Sequence, residues 1–302
     1  MNQGWTYCDR ITDKTHNLSV LDYYTQRYPH SSRADWEQRI ASGQVLLNGM
    51  PTTATVLLKA GHQLTYQRPP WQEPEVPLEF NVLHEDVDLV VIAKPSGLPV
   101  LPGGGFLQNT LLWQLQQRYP ESPPVPIHRL GRGTSGLMLL ARSSAARASL
   151  SQQMRDRQIR KTYRALVSGT TLPDHFTITQ PIGKVSYAPL GYLYAATPEG
   201  LPAHSECYVL RRNQTHTLVE VTILTGRPHQ IRIHLAASGF PLVGDPLYGV
   251  GGIPLSLTAT CSDRSAVPGD CGYHLHALQL AFVHPITGQP VSYVYPPPAL
   301  LE

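Results

Sequence analysis

The sequence predicts a two-part chain of mixed α and β structure: a small N-terminal α/β module followed by a larger α+β domain. Three observations carry this expectation. Two short helix patterns and an Asn48-Gly49 hairpin signal fill the first part. A proline-rich run, Arg68-Pro69-Pro70-Trp71-Gln72-Glu73-Pro74-Glu75-Val76-Pro77, separates it from the rest. Beyond that run, short apolar stretches alternate with helix candidates. The 28 Pro and 24 Gly, set against only 15% charged residues, favour turns over long solvated helices.

Taken in order, residues 1–17 read as an irregular lead-in. Leu18, Leu21 and Tyr28 recur at helical spacing, and Pro29-His30-Ser31-Ser32 breaks that helix. Ser32 is the expected N-cap of a second helix running to about Ser42, with Trp36 and Ile40 on one face and Gly43 after its end. Gln44–Leu47, a return strand after Asn48-Gly49, and Gly61–Tyr66 complete a module over 18–67. The linker spans 68–77 and the larger domain 78–302. In that domain, Phe80–Asp86 and Leu89–Ala93 read as strands around an acidic turn. Asn109–Tyr119 is a helix ended by Pro120, Leu137–Ala141 a buried strand, and Ser143–Arg157 a helix. Further strands are expected at Tyr163–Val167 and within Tyr208–Leu224.

Composition bounds the function. A net charge of +3 is compatible with RNA binding and too small to argue for it alone. Cys8, Cys207, Cys261 and Cys271 form no Cys-x-x-Cys, so reduced thiols are expected. Cys261, Cys271, His274 and His276 fit no common zinc spacing, and no metal is expected. Neither a signal peptide nor a membrane-length apolar run is seen, so a soluble cytoplasmic protein is expected, as a monomer. Gly103-Gly104-Gly105 lacks the Lys-Ser/Thr of a phosphate loop and reads as a flexible loop near a cleft.

Five segments carry a resemblance. They are Leu83-His84-Glu85-Asp86 with Lys94–Val100, His128-Arg129-Leu130-Gly131 with Thr134-Ser135-Gly136-Leu137, Arg160–Gly169, Thr225–Leu235 with Gly244–Gly249, and Leu275-His276-Ala277 with His284-Pro285. In this order they resemble the RluA-type RNA pseudouridine synthase family. The resemblance implies an α+β pseudouridine synthase fold on a mixed, mainly antiparallel sheet, acting on structured RNA without cofactor. The first part resembles an S4 RNA-binding domain through Ser32-Arg33-Ala34, Ile40–Val45 and Asn48-Gly49, with Arg33 and Arg39 facing a phosphate backbone.

The resemblance also implies roles. A uridine must leave its stack to react. Arg129 would face the RNA and fill the vacated space, beside His128. Tyr163 would stack on the base, Ile231 would pack near it, and Arg232 would continue a basic surface. Arg227 would pair with the catalytic aspartate. That aspartate is missing, because Gly131 stands in its place, and Pro228 replaces the usual Thr or Ser. Two readings of Gly131 follow: an enzyme using a different acid, with Asp86, Asp156 and Asp245 as the carboxylates to consider, or an RNA-binding or ribosome-assembly protein that does not isomerise. If only the carboxylate is lacking, Gly131→Asp creates activity.

Overall fold

The computed structural model describes residues 1–13, 15–28, 31–187, 190–255 and 269–302, so the helix-breaking Pro29-His30 and Cys261 lie outside the described residues. The chain divides into two compact units, Met1–Glu73 with Ser186–Tyr192, and Pro74–Val185 with Leu193–Glu302.

In the first unit the elements are β1 (Trp5–Arg10), α1 (Val20–Arg27), α2 (Arg33–Ala41), β2 (Val45–Leu47), β3 (Met50–Pro51) and β4 (Gln63–Arg68). Ser19 caps α1 and Ser32 caps α2, the latter in a capping box with Asp35. Their apolar faces bury Leu21, Tyr24, Trp36 and Ile40 against Val45, Leu64 and Tyr66. Residues 1–17 are not an irregular lead-in. Trp5–Arg10 forms an edge strand, antiparallel to β4 with Trp5 opposite Arg68. The start of the expected linker is also anchored. Asn2 donates to Glu73 Oε1 at 2.8 Å, its Oδ1 accepts from the Trp71 amide, and the Arg68 guanidinium lies 3.5 Å from the centre of the Trp71 ring.

The second unit contains β5 (Asn81–Glu85), β6 (Leu89–Lys94), α3 (Leu111–Arg118), β7 (Val125–Pro126), β8 (Ser135–Ala141), α4 (Ser144–Arg155), β9 (Arg160–Ser168), β10 (His175–Ile178), β13 (Ser205–Arg212), β14 (His216–Ile223), α5 (Gln230–Ala237), β15 (Leu275–Val283) and β16 (Pro290–Val294). A hairpin of β11 (Ile182–Tyr187) and β12 (Gly191–Ala196) reaches into the residues grouped with the first unit. Among the described residues one large sheet runs in the order β10-β13-β14-β9-β15-β8-β6-β5, with β16 on β15 and β7 on β8. Its pairs are antiparallel except β8 with β15. The expected mixed, mainly antiparallel sheet is therefore present. β6 and most of β8 are buried on both faces, which explains their unbroken apolar runs. One face packs on Leu111, Leu115, Ile231 and Leu235 from α3 and α5, the other on Ala146 and Leu150 from α4. No helix among the described residues is long and apolar enough to cross a membrane.

Candidate active site

The single parallel pair builds the site. Ser135 lies beside His276 and Gly136 beside Ala277, so β8 and β15 start at the same end of the sheet. The segments leading into them, 128–134 and 271–274, therefore meet. The approach is close: Gly136 has φ +102°, and a Cβ there would fall 2.3 Å from the Ala277 carbonyl oxygen. Lys94, buried at the end of β6, steadies the first segment. Its Nζ donates to the carbonyls of Pro95, Leu98 and Arg132 at 2.7, 2.9 and 3.2 Å, and burial pushes its pKa down to about 7. Ser96 Oγ donates to the Gly133 carbonyl at 2.8 Å.

A cavity of about 490 Å³ opens here, bounded by residues 128–134, β9, the end of α4, the start of α5 and the lead-in to β15. This volume suits a small organic group such as a nucleoside. Buried Tyr163, Leu130, Ile231 and Leu275 supply apolar wall, and exposed Arg129, Arg155 and Arg157 supply charge toward solvent. Burial raises the Tyr163 phenol well above its usual pKa, so it is neutral at physiological pH.

No carboxylate lines this cavity among the described residues. Asp156 is exposed and accepts twice from Gln152 at 2.9 Å. Asp86 accepts from His84 and His284 at 2.9 and 3.0 Å; burial alone would raise its pKa, but these imidazoles and the Leu89 and Asp88 amides hold it well below the carboxylate range. Asp245 lies one layer behind the wall, in a fork with Arg232. Arg232 Nε and Nη2 each donate to it at 2.7 Å, and the two side chains are only 3% and 1% exposed.

These contacts correct several expectations. Arg232 does not extend a basic surface; its charge is consumed by Asp245 inside the protein. Arg227, whose family partner is absent because Gly131 stands in its place, donates from Nε to the Pro202 carbonyl at 3.0 Å. His128 lines the cavity, but its Nε2 accepts from the Leu139 amide at 3.1 Å, which makes it a bracket for β8. Arg129 is exposed at the cavity, and Ile231 is 5% exposed in its wall. In the first unit, Arg33 pairs with Asp22 at 2.7 Å, whereas Arg39 donates to Ser31 and lies 4.5 Å from the Trp36 ring centre. His276, considered as a zinc ligand, has both ring nitrogens engaged, with Ser135 Oγ and the Tyr295 carbonyl.

What fills the place of a side chain at position 131 is Tyr273. A Cβ on Gly131 would fall 2.7 Å from the Tyr273 hydroxyl, and one on Gly133 would fall 3.0 Å from its ring. Gly131 is not in the left-handed region, so space rather than backbone conformation demands glycine there. A carboxylate at 131 would therefore have to displace the Tyr273 hydroxyl.

The RNA pseudouridylate synthase family model matches residues 88–237, which span four of the elements around this cavity. An uncharacterized RNA pseudouridine synthase of Synechocystis sp. is 51% identical over 283 residues, covering 93% of this chain and 95% of the relative. The chain belongs to the RNA pseudouridine synthase family. Ribosomal large subunit pseudouridine synthase D of Neisseria meningitidis serogroup B is 34% identical to it over 93% of this chain and 75% of its own length. Among solved structures, human RNA pseudouridylate synthase domain containing 1 superposes with a TM-score of 0.55 at 25% identity, covering 74% of this chain and 86% of that one.

Within this synthase, sequence reasoning missed Tyr273, Asp245 as a partner, and the arginines at the end of α4. Arg155 and Arg157 look like ordinary helix-end charge, and only the packing of α4 beside β9 turns them toward the cavity. Two buried amide and hydroxyl groups were also missed. Gln230 accepts from the Thr225 hydroxyl and the Arg227 amide, and donates to the His204 carbonyl and Ser205 Oγ, so it sets the turn that enters α5.

Proposed function

We propose that this chain isomerises uridine to pseudouridine in structured RNA, with ribosomal RNA as the first substrate to test and transfer RNA as the second. The observation that carries this reading is the cavity itself. An apolar slot with Tyr163 in its wall is ringed by Arg129, Arg155, Arg157 and Arg227, which suits a flipped base with phosphates outside. The relative from Neisseria meningitidis, named for the large ribosomal subunit, supports the choice of ribosomal RNA. Arg129 reaches toward the RNA and takes part in base flipping, Tyr163 stacks on the base, and Ile231 packs against it. Base stacking on an aromatic face contributes about 1–3 kcal/mol.

The first unit serves as the S4-like RNA-binding module, over residues 18–67. In it Arg39, poised over Trp36, is a better phosphate contact than Arg33, which Asp22 already neutralises. The reaction needs no cofactor, and the protein works as a cytoplasmic monomer.

A second reading, an RNA-binding descendant without turnover, has one observation in its favour: among the described residues, no carboxylate lines the cavity. One experiment separates the two. RNA labelled with tritium at uridine C5 is incubated with the purified protein, because joining C1′ to C5 expels that hydrogen. Release supports the synthase reading. Binding without release, across total RNA from cells lacking the protein, supports the second.

A further inference from the structure

If the cavity carries out this isomerisation, some oxygen must meet the ribose where the glycosidic bond breaks. Among the described residues four hydroxyls line the wall: those of Thr134, Tyr163, Thr225 and Tyr273. Thr225 is spent, donating to Gln230 Oε1 at 2.7 Å and accepting from the His204 amide at 2.9 Å. Burial raises the Tyr163 phenol well above its usual pKa, and its ring is the face proposed to stack on the base. Tyr273 is set apart by its place against Gly131. Its hydroxyl lies 3.3 Å from Thr134 Oγ1, and the Arg232 guanidinium sits 4.2 Å from its ring centre. Two glycines, Gly131 and Gly133, leave the room that its hydroxyl and ring edge occupy.

We propose that Tyr273 is the catalytic oxygen of this synthase, admitted to the site by the absence of a side chain at Gly131; the assignment rests on the synthase reading above. Tyrosine can form covalent intermediates, including at the anomeric carbon of sugars. The Tyr273 oxygen bonds to C1′ as the C1′–N1 bond breaks. The electron pair of that bond leaves on N1, which takes the phenol proton, giving a neutral uracil and a tyrosyl ether. After the base turns, C5 bonds to C1′ as the tyrosyl C–O bond breaks, and the proton lost from C5 returns to the phenolate. Nothing is consumed, as an isomerisation requires. The guanidinium of Arg232, forked to Asp245, lies over the face of the Tyr273 ring and fixes where that ring stands. Burial raises the Tyr273 pKa against the opposing pull of Arg232 and Thr134, so the resting group is the phenol that this sequence of steps needs.

The test uses the full-length protein and C5-tritiated RNA. Tyr273→Phe is expected to cut release by at least about 100-fold, the scale of a lost acid–base group, while RNA affinity stays within about twofold of the native value, as a change confined to the proton-transfer step predicts. Release from Tyr273→Phe within about threefold of native, by the same kinetic comparison, overturns the proposal and leaves the synthase reading intact. Absence of release from the native protein overturns both. Should Tyr273→Phe not fold, a fluorotyrosine placed at 273 keeps the ring and lowers the phenol pKa. The pH profile of release is then expected to move to lower pH, and an unmoved profile rejects the assignment. The steric half has a readout independent of turnover. Gly131→Ala is expected to lower Tm in the native background and to do so far less in Tyr273→Phe, where the hydroxyl 2.7 Å from the new Cβ is gone. Equal losses in both backgrounds refute the claim that Tyr273 fills the place of a side chain at 131.

Discussion

Replacing Asp245 by Asn tests the framework behind the cavity. Asp245 is 1% exposed and its two oxygens meet Arg232 Nε and Nη2 at 2.7 Å each. Oδ1 also accepts from the Leu247 and Tyr248 amides at 2.9 and 3.1 Å. Asn keeps an oxygen for the amides, but its NH2 then faces the Arg232 Nε–H, donor against donor, and the buried guanidinium loses its counter-charge. Breaking one side of a buried ion pair costs about 3–5 kcal/mol. For a domain of this size each kcal/mol moves Tm by about 2–4 °C, so the expected fall is about 6–20 °C. Calorimetry on the native protein and the variant measures it. A paired change, Arg232→Met with Asp245→Leu, removes both charges and is expected to be less damaging than either single change. A Tm for Asp245→Asn within about 2 °C of native, below the loss expected for one kcal/mol, would show that the fork contributes nothing and that Arg232 is not fixed by it.

The other expectations concern the same site from outside. Gly131→Asp is expected not to gain activity; its Cβ meets the Tyr273 hydroxyl, so Tm falls, and adding Tyr273→Phe, which removes that hydroxyl, restores part of the loss. Arg129→Gln weakens RNA binding and lowers the salt slope of log K by about 0.7–0.9, the share of one phosphate, in binding assays across a salt series; an unchanged slope removes Arg129 from the RNA face. Burial holds His128 at a pKa of about 3, and His229 and His234 at about 4, all below the ordinary 6.5. The folded state therefore binds fewer protons than the unfolded one between the folded and unfolded values. Stability from these rings is complete above pH 6.5 and drains away as pH falls toward 4, by up to about 3 kcal/mol for each such ring. Melting curves that stay level from pH 7 to pH 4 contradict this.

How much of this was legible in the chain depends on whether the signal is local. The cap at Ser32, the buried runs of β6 and β8, and the helix ending before Pro120 all follow from neighbours in sequence, and they stand in the structure near the expected places. β1 did not read as a strand because its residues are mostly exposed and show no alternation; what orders it is the hydrogen-bond ladder to β4, far along the chain. Arg232 fails for a related reason. The motif shows an arginine with nothing nearby in sequence to neutralise it, but only the turn at Gly244–Asp245 brings a buried carboxylate against it. Gly131 is the sharpest case. In sequence it is a missing acid; in space it is a vacancy shaped by an aromatic ring more than a hundred residues away. Glycine at 131 and tyrosine at 273 make sense only together, because a side chain at the first and a hydroxyl at the second would contend for the same volume. A residue that looks like a loss of function when read alone is, beside its partner, a change in which side chain brings an oxygen to the sugar.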